Sequence, residues 1–438
     1  MALTRAAARQ RSRATTDRKW AMGFALGVVG IFLGYQFLVP HLPYQVATFV
    51  DDWLPLTSLN EASVYVILTL GLNVVVGYAG LLDLGFVAFW AIGGYVVGWL
   101  MSGFFDSAKL NIFGHAPIGL PNGVHISFWL VLLLAGAFCA LWGVIIGWPT
   151  LRLKSDYLAL VTLGFGEIIP QVFVNGEDIN GFNLSNGSKG ITPVDGIDLF
   201  GKVLGPFDLA LKFLIYAGIA AFVVLLSLRL REGRLGRAWL AIREDELAAS
   251  MMGVPLRKTK LAAYAVGAFS GGLGGAAFAT QVNGVFAERF NFSISIILLA
   301  MVVLGGMGNV WGVIVGALVL AWINSTGLVQ FGRTFNDTFG TEINFPSYNF
   351  LLFGVILILM MLFRREGLIP ESRTKLLLRE PERGQMMALG AEAELAQAEA
   401  AIDTDGAPAA DPPADGPSAA QAPGPDSQPT DTDSGDKR

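Results

Sequence analysis

One cysteine in 438 residues, three histidines, and charged side chains at only 15% of positions exclude several classes of function at once. Cys139 stands alone inside an apolar run, so it cannot form an intramolecular disulfide and reads as a small buried residue. His41, His115 and His125 fall in predicted external loops and read as surface residues, and no H-E-x-x-H or Cys/His cluster suggests a metal site. There is no G-x-x-x-x-G-K-[ST] phosphate loop, so the chain is not expected to bind ATP in that way. Nor is there a G-x-S-x-G elbow. Nothing argues for an enzyme, a cofactor, a metal or a nucleic-acid partner.

Apolar sequence is what the chain has in abundance. It is 53% hydrophobic with a mean hydropathy of +0.55, too apolar for a soluble globule of this length. Runs of about 20 apolar residues recur, each long enough to cross a hydrocarbon core. They fall near 20–40, 58–77, 84–101, 127–148, 156–174, 208–228, 261–282, 293–305, 309–326 and 347–363. The fold class is therefore an all-α polytopic membrane protein with about ten transmembrane helices, some broken or short. Basic residues precede the first run, as in a signal peptide, but that run is too long for a signal core and reads as an uncleaved span.

Lysine and arginine bias sets the orientation. The N-terminus, the Arg152–Lys154 turn, the 229–260 loop (Arg229, Arg231, Arg234, Arg237, Arg243, Arg257, Lys258, Lys260) and Arg364–Arg365 fall on one side. The segments 41–57, 102–126, 175–207, 283–292 and 327–346 carry few basic residues and face the other. Both termini are thus expected to be cytoplasmic. The chain divides into a basic N-terminus (1–19), a transmembrane domain (20–365) and a cytoplasmic tail (366–438). Residues 379–438 hold 13 acidic and 4 basic side chains, a net of −9; since the whole chain carries −5, the rest is +4. The tail's Ala, Glu, Pro, Asp and Ser content cannot bury enough apolar surface to order itself.

Two glycine-rich breaks interrupt the pattern, Gly77–Gly85 and Gly305–Gly312. Irregular backbone at membrane depth is tolerated only where protein or a water-filled path satisfies it, and paired broken or short helices point to a transport pathway. Two tight cytoplasmic hairpins explain the same sequence. Glycines at four-residue spacing (Gly267, Gly271 and Gly275; Gly308, Gly312 and Gly316; Gly94 and Gly98) predict close helix packing.

Few ionisable residues lie within the spans. Glu61 and Asp156 sit near span ends, where snorkelling or capping accounts for them. Asp83 lies in the first break and Glu167 inside a Gly-Phe-Gly-Glu-Ile-Ile-Pro stretch. Burying a carboxylate is costly unless it is paired, so both are candidates for the transport path. Each also fits a structural role, Asp83 as a helix cap and Glu167 as a partner to backbone or Arg. Asn73 fits either the path or an interhelical hydrogen bond.

The stretch Gly236–Gly253 is short, charged and helix-prone, and lies between two long spans. Its wheel places Leu240, Leu247 and Met251 on one side, with Glu244 intruding and Arg243, Asp245 and Glu246 elsewhere, and Gly236 and Gly253 are expected to bound it. A narrow apolar stripe with a charged rim suits insertion into a partner's groove, though an ordinary solvated helix gives the same pattern.

Four blocks together resemble the high-affinity branched-chain amino acid ABC permeases, on the side of the longer permease subunit. They are 71–89 with Gly93–Tyr95, 153–169, 236–253 and 303–312, spread over roughly residues 58–365. The Leu247, Ala248, Ala249 and Gly253 core resembles the loop such permeases present to their ATPases, except that the general motif begins with Glu where this chain has Leu247. The resemblance implies a bacterial inner-membrane importer with two ATP-binding subunits, a second related permease and a periplasmic solute-binding protein, the permeases surrounded by membrane lipid. It implies a coupling role for Gly236, Arg237, Leu240, Arg243, Glu244, Asp245, Glu246, Leu247, Ala248, Ala249 and Gly253. The Ser185–Thr192 stretch of the periplasmic loop is expected to meet the binding protein. An ion-coupled secondary amino-acid carrier is the alternative; it needs no ATPase but leaves the 236–253 segment without a purpose.

Overall fold

The computed structural model describes residues 2–369 apart from 107–108, 113, 115–121, 154, 200–201 and 365. The acidic tail beyond residue 369, like His115, lies outside the described residues. Among those described, nine helices are long and apolar enough to cross a membrane, and a tenth apolar helix, Val87–Leu100, is shorter. The all-α reading and the number of spans hold.

The chain begins with α1 (Ala2–Leu33), the short α2 (Tyr44–Trp53) and α3 (Leu56–Leu72), which runs through a π-helical turn at Asn73–Tyr78 into the first break. Next come α4 (Val87–Leu100), α5 (Phe128–Thr150), α6 (Ser155–Val174) and α7 (Leu209–Glu232). Two short helices, α8 (Arg234–Glu244) and α9 (Glu246–Met251), precede α10 (Leu256–Val282). The hairpin of α11 (Phe292–Gly305) and α12 (Val310–Trp322) holds the second break; α13 (Leu328–Phe339) and α14 (Asn349–Phe363) follow.

Helices α3, α4 and α5 gather around α10. The reason is legible in α10 itself, whose glycines and alanines leave backbone close to backbone. A Cβ added at Gly93 of α4 would stand 2.6 Å from Gly272 Cα, and one at Gly143 of α5 would stand 2.6 Å from Ala268 Cβ. Small residues of this kind let helices touch where lipid offers no hydrophobic drive. Helix α3 is buried along most of its length. By contrast α14 and the span Lys19–Leu38, which continues α1 through a π-helical turn, point apolar side chains outward, as a lipid-wetted surface requires.

The connections expected to be external loops carry structure of their own. Strand β1 (Met101–Ser102) pairs antiparallel with β3 (Gly123–Ile126), which pairs parallel with β2 (Lys109–Ile112). Strands β4 (Ile197–Leu199) and β5 (Lys202–Leu204) form a hairpin. His125 departs from the surface position expected of it. It is 2% exposed on β3, and its Nδ1 lies 2.8 Å from Asp195 Oδ2, so it ties the 175–207 loop to the sheet. Helices α2 and α13 likewise occupy segments expected to be loops. In α13 the cause is a run of aromatics one turn apart: Phe331, Phe335 and Phe339 stack in sequence, with Phe345 closing on the first two.

The charged segment between α7 and α10 also differs from the single helix expected between Gly236 and Gly253. It begins earlier, at Arg234, and breaks at Asp245, whose backbone is extended and whose Oδ1 accepts the N–H groups of Leu247 and Ala248. An aspartate that caps a new helix ends the old one. Gly236 is an inner residue of α8, while Gly253 terminates α9 with φ +83.

Candidate coupling site and transport path

The first break follows from its sequence. The π-helical turn loosens the ladder of α3, and Gly80, with φ +69, bends the chain away from the helix axis. Backbone groups released here find partners on other helices. The N–H of Leu84 donates to Thr162 Oγ1 of α6 at 3.1 Å, and that of Val87 to Ser295 Oγ of α11 at 3.2 Å. Asp83 is 2% exposed; its Oδ1 accepts the Gly85 N–H at 2.9 Å, ahead of the first turn of α4, and its Oδ2 has no hydrogen-bond partner among the described residues.

The second break is a tight hairpin with Gly306 and Gly308 at positive φ. Asn309 caps α12 by accepting the Trp311 N–H, and its Nδ2 donates to the Ile369 carbonyl. Residues 368–369 return to donate to the carbonyls of Leu304 and Gly305. Asn73 joins the two breaks. It is fully buried, and its Oδ1 accepts the Gly308 N–H at 2.9 Å across 235 residues of sequence.

The segment α8–α9 lies directly beneath the first break. Arg243 donates from Nη1 to the Gly77 carbonyl at 2.5 Å, a charge-assisted bond from the short helix to the broken one. Trp239, wholly buried, stacks on Tyr78 with ring centroids 6.4 Å apart and donates to the Thr259 carbonyl at 2.7 Å. Glu246 pairs with Lys260 at 2.6 Å, where the lysine is buried and the carboxylate half-exposed. Together Gly80, Leu81, Arg243, Glu246 and Lys260 contribute to the wall of a cavity of about 190 Å³.

The remaining coupling candidates divide by exposure. Gly236 and Ala249 are buried, Leu240 is half-buried, and Arg237, Glu244, Asp245, Ala248 and Gly253 are exposed. Leu247, Met251 and Met252 are 68%, 78% and 85% exposed. Large exposed apolar side chains in a charged segment between spans form the kind of patch that marks a protein contact. The wheel's single stripe does not survive the break at Asp245: Leu240 packs inward while Leu247 and Met251 point out.

Glu167 is not brought to the other candidates. It lies exposed on the outward side of α6, beside a groove. The next residue inward, Gly166, contacts the first break, since a Cβ there would stand 3.0 Å from Gly85 Cα. Trp239, Thr162, Ser295 and Lys260 were not singled out from sequence as parts of this site. A buried-sized Trp within a charged segment was the available signal for the first; nothing local marks the others.

Fold and site define a multi-pass helical membrane protein in which two short charged helices are bonded to a broken span. The chain belongs to the family described as branched-chain amino acid transport system, permease component, whose family model matches residues 54–361. It is 36% identical over 358 residues to the high-affinity branched-chain amino acid transport system permease protein LivM of Escherichia coli (strain K12), covering 77% of this chain and 74% of that one. The protein of the same name from Salmonella typhimurium is 34% identical over 377 residues, 81% of this chain and 76% of its own. A probable branched-chain amino acid transport permease protein LivM of Methanocaldococcus jannaschii is 27% identical over 329 residues, 70% of this chain and 91% of its own. No solved structure matches at a significant level.

Proposed function

We propose that this chain is one of two membrane-spanning subunits of an ATP-driven importer for branched-chain amino acids in a bacterial inner membrane. It hydrolyses nothing itself. Two separate ATPase subunits supply the work, a second related permease completes the path, and a periplasmic binding protein delivers substrate. The exposed Leu247, Ala248, Met251 and Met252 dock into the ATPase, and the N-terminus, the α8–α9 segment and the tail face the cytoplasm, in keeping with the basic loops. One observation supports the reading above others: Arg243 of the docking segment holds the Gly77 carbonyl of the broken span. An ATPase that displaces α8 therefore pulls on the path itself.

Purification of the tagged chain in mild detergent tests this, with mass spectrometry of its companions. Two ATPases and a related permease are expected. A chain that purifies alone and transports without ATP is instead an ion-coupled carrier. Ala248→Arg places a charged bulk on the docking face and should lower leucine uptake by about tenfold or more at unchanged membrane level. Normal uptake in that variant removes α9 from the coupling contact.

A further inference from the structure

Helix α6 carries a stripe that hydrocarbon does not tolerate. Glu167 and Gln171 of α6 and Asn175, one residue past its end but bonded to the Gln171 carbonyl as in a helix, recur at four-residue spacing, so they share one side, and all three are exposed. Thr162, Gly166, Pro170 and Phe173, on the opposite side, are buried. Glu167 lies ten residues from Tyr157 and seven from Val174, so about 15 Å and 10 Å of helix separate it from the two ends of the span. Among the described residues no hydrogen bond or ion pair reaches the side chain of Glu167 or Gln171. A carboxylate at that depth faces protein, water or substrate rather than lipid.

The surroundings narrow the choice. Ile168, Val172 and Ile179 stand beside the three polar residues, and the six line an open groove of about 480 Å³. A groove of that volume accommodates a small molecule. It offers one anion, two carboxamides and three branched aliphatic side chains. We infer that this groove is a binding site in the transport path for a zwitterionic amino acid with a branched aliphatic side chain. Glu167 takes the ammonium, Gln171 and the second N–H of Asn175 Nδ2 (the first is given to the Gln171 carbonyl at 2.9 Å) donate to the carboxylate, and Ile168, Val172 and Ile179 receive the side chain. The inference rests on the permease reading above, in which the second permease closes the open side of the groove. Because Gly166 rests on Gly85 and Thr162 receives the Leu84 N–H, the same helix that presents the groove is seated on the first break.

The lone, buried Cys139 leaves a clean background for thiol labelling. In the full assembly, reconstituted into liposomes, Val172→Cys should react with a charged, membrane-impermeant thiol reagent, and the unsubstituted chain should not. Leucine at about nine times its Kd should slow that reaction about tenfold, because only the unoccupied fraction of the site reacts. 4-Methylpentanoate, the same skeleton without the ammonium group, should not slow it. In the Glu167→Gln/Val172→Cys chain the protection by leucine should be lost. A thiol that does not react in the membrane places lipid or a partner's surface on this face and overturns the inference. So does labelling indifferent to leucine, or protection that survives Glu167→Gln. Failure of the permease reading shows separately, as a chain that purifies without ATPases.

Discussion

Replacing Arg243 with alanine should disconnect ATP hydrolysis from transport. The guanidinium makes a charge-assisted hydrogen bond to the Gly77 carbonyl, and such bonds contribute about 1.5–3 kcal/mol. Arg243 is half-buried against a cavity of about 190 Å³, large enough for water to replace part of the lost bond. The net loss of linkage is then about 1–2 kcal/mol, a factor of roughly five to thirty. In liposomes holding the full assembly, leucine moved per ATP hydrolysed should fall by about that factor. Arg243→Lys should retain part of it, because an ammonium supplies the charge without the planar fork.

Gly80→Ala reaches the same strap from the other side. A Cβ there would stand 2.9 Å from Arg243 Cγ, and its φ of +69 adds about 1–2 kcal/mol of strain for any L side chain. It too should lower the ratio while leaving the guanidinium in place. If Arg243→Ala assembles with its ATPases and moves leucine at the unsubstituted ratio, the strap carries no force and the reasoning from α8 to the break is wrong.

Three further predictions follow from packing and charge. Gly93→Ala sets a Cβ 2.6 Å from the Gly272 backbone, so α4 and α10 must separate at a cost of about 1–3 kcal/mol; a thermal melt in detergent should show a midpoint lower by several degrees, and an unchanged melt would deny the close crossing. His125→Ala leaves the buried Asp195 carboxylate without its ring partner, a loss of about 3 kcal/mol, and should speed hydrogen exchange through 175–207; exchange equal to the parent's would show the pair is dispensable. The Gly205 N–H and then Lys202 hold the Asp208 carboxyl below its ordinary value of 3.8, so the turn it braces should be unaffected above that value and loosen as pH falls through the lower folded value, read as faster exchange at Gly205 (corrected for intrinsic rates) that Asp208→Asn abolishes.

The spans were legible because each is an apolar run of membrane length, and the breaks because glycine clusters interrupt or closely join such runs. Asn73 stood out as a polar residue in an apolar span, though its partner did not: Gly308 is 235 residues away, and only the packed structure brings it near. His125 and Asp195 are hidden for the same reason, separated by 70 residues with no local pattern joining them. The division of the docking segment was written locally. Asp245 before Leu247 and Ala248 is an N-cap sequence, which a single helical wheel over 236–253 conceals. Helix α13 is missed in the sequence: its phenylalanines stand one turn apart, but the stretch is otherwise polar enough to read as a loop.

Why the docking segment should hold a broken helix rather than an intact one has a physical answer. In an unbroken span each carbonyl is taken by the N–H four residues on, and an arginine has nothing to hold without prising the ladder apart. The π-helical turn changes this. The N–H of Ala79 goes to Val74 and that of Leu81 to Val75, which leaves the Gly77 carbonyl for Arg243. Downstream, Thr162 of α6 and Ser295 of α11 take the next free N–H groups, and Asn73 takes one from the second break. Each of these bonds would cost free energy if left unmade in a dry interior, so they resist being lost singly. A displacement of α8 is consequently shared among the end of α3, the face of α6 and the turn before α12. The irregular backbone that makes this span costly in a membrane is the property that lets it be gripped.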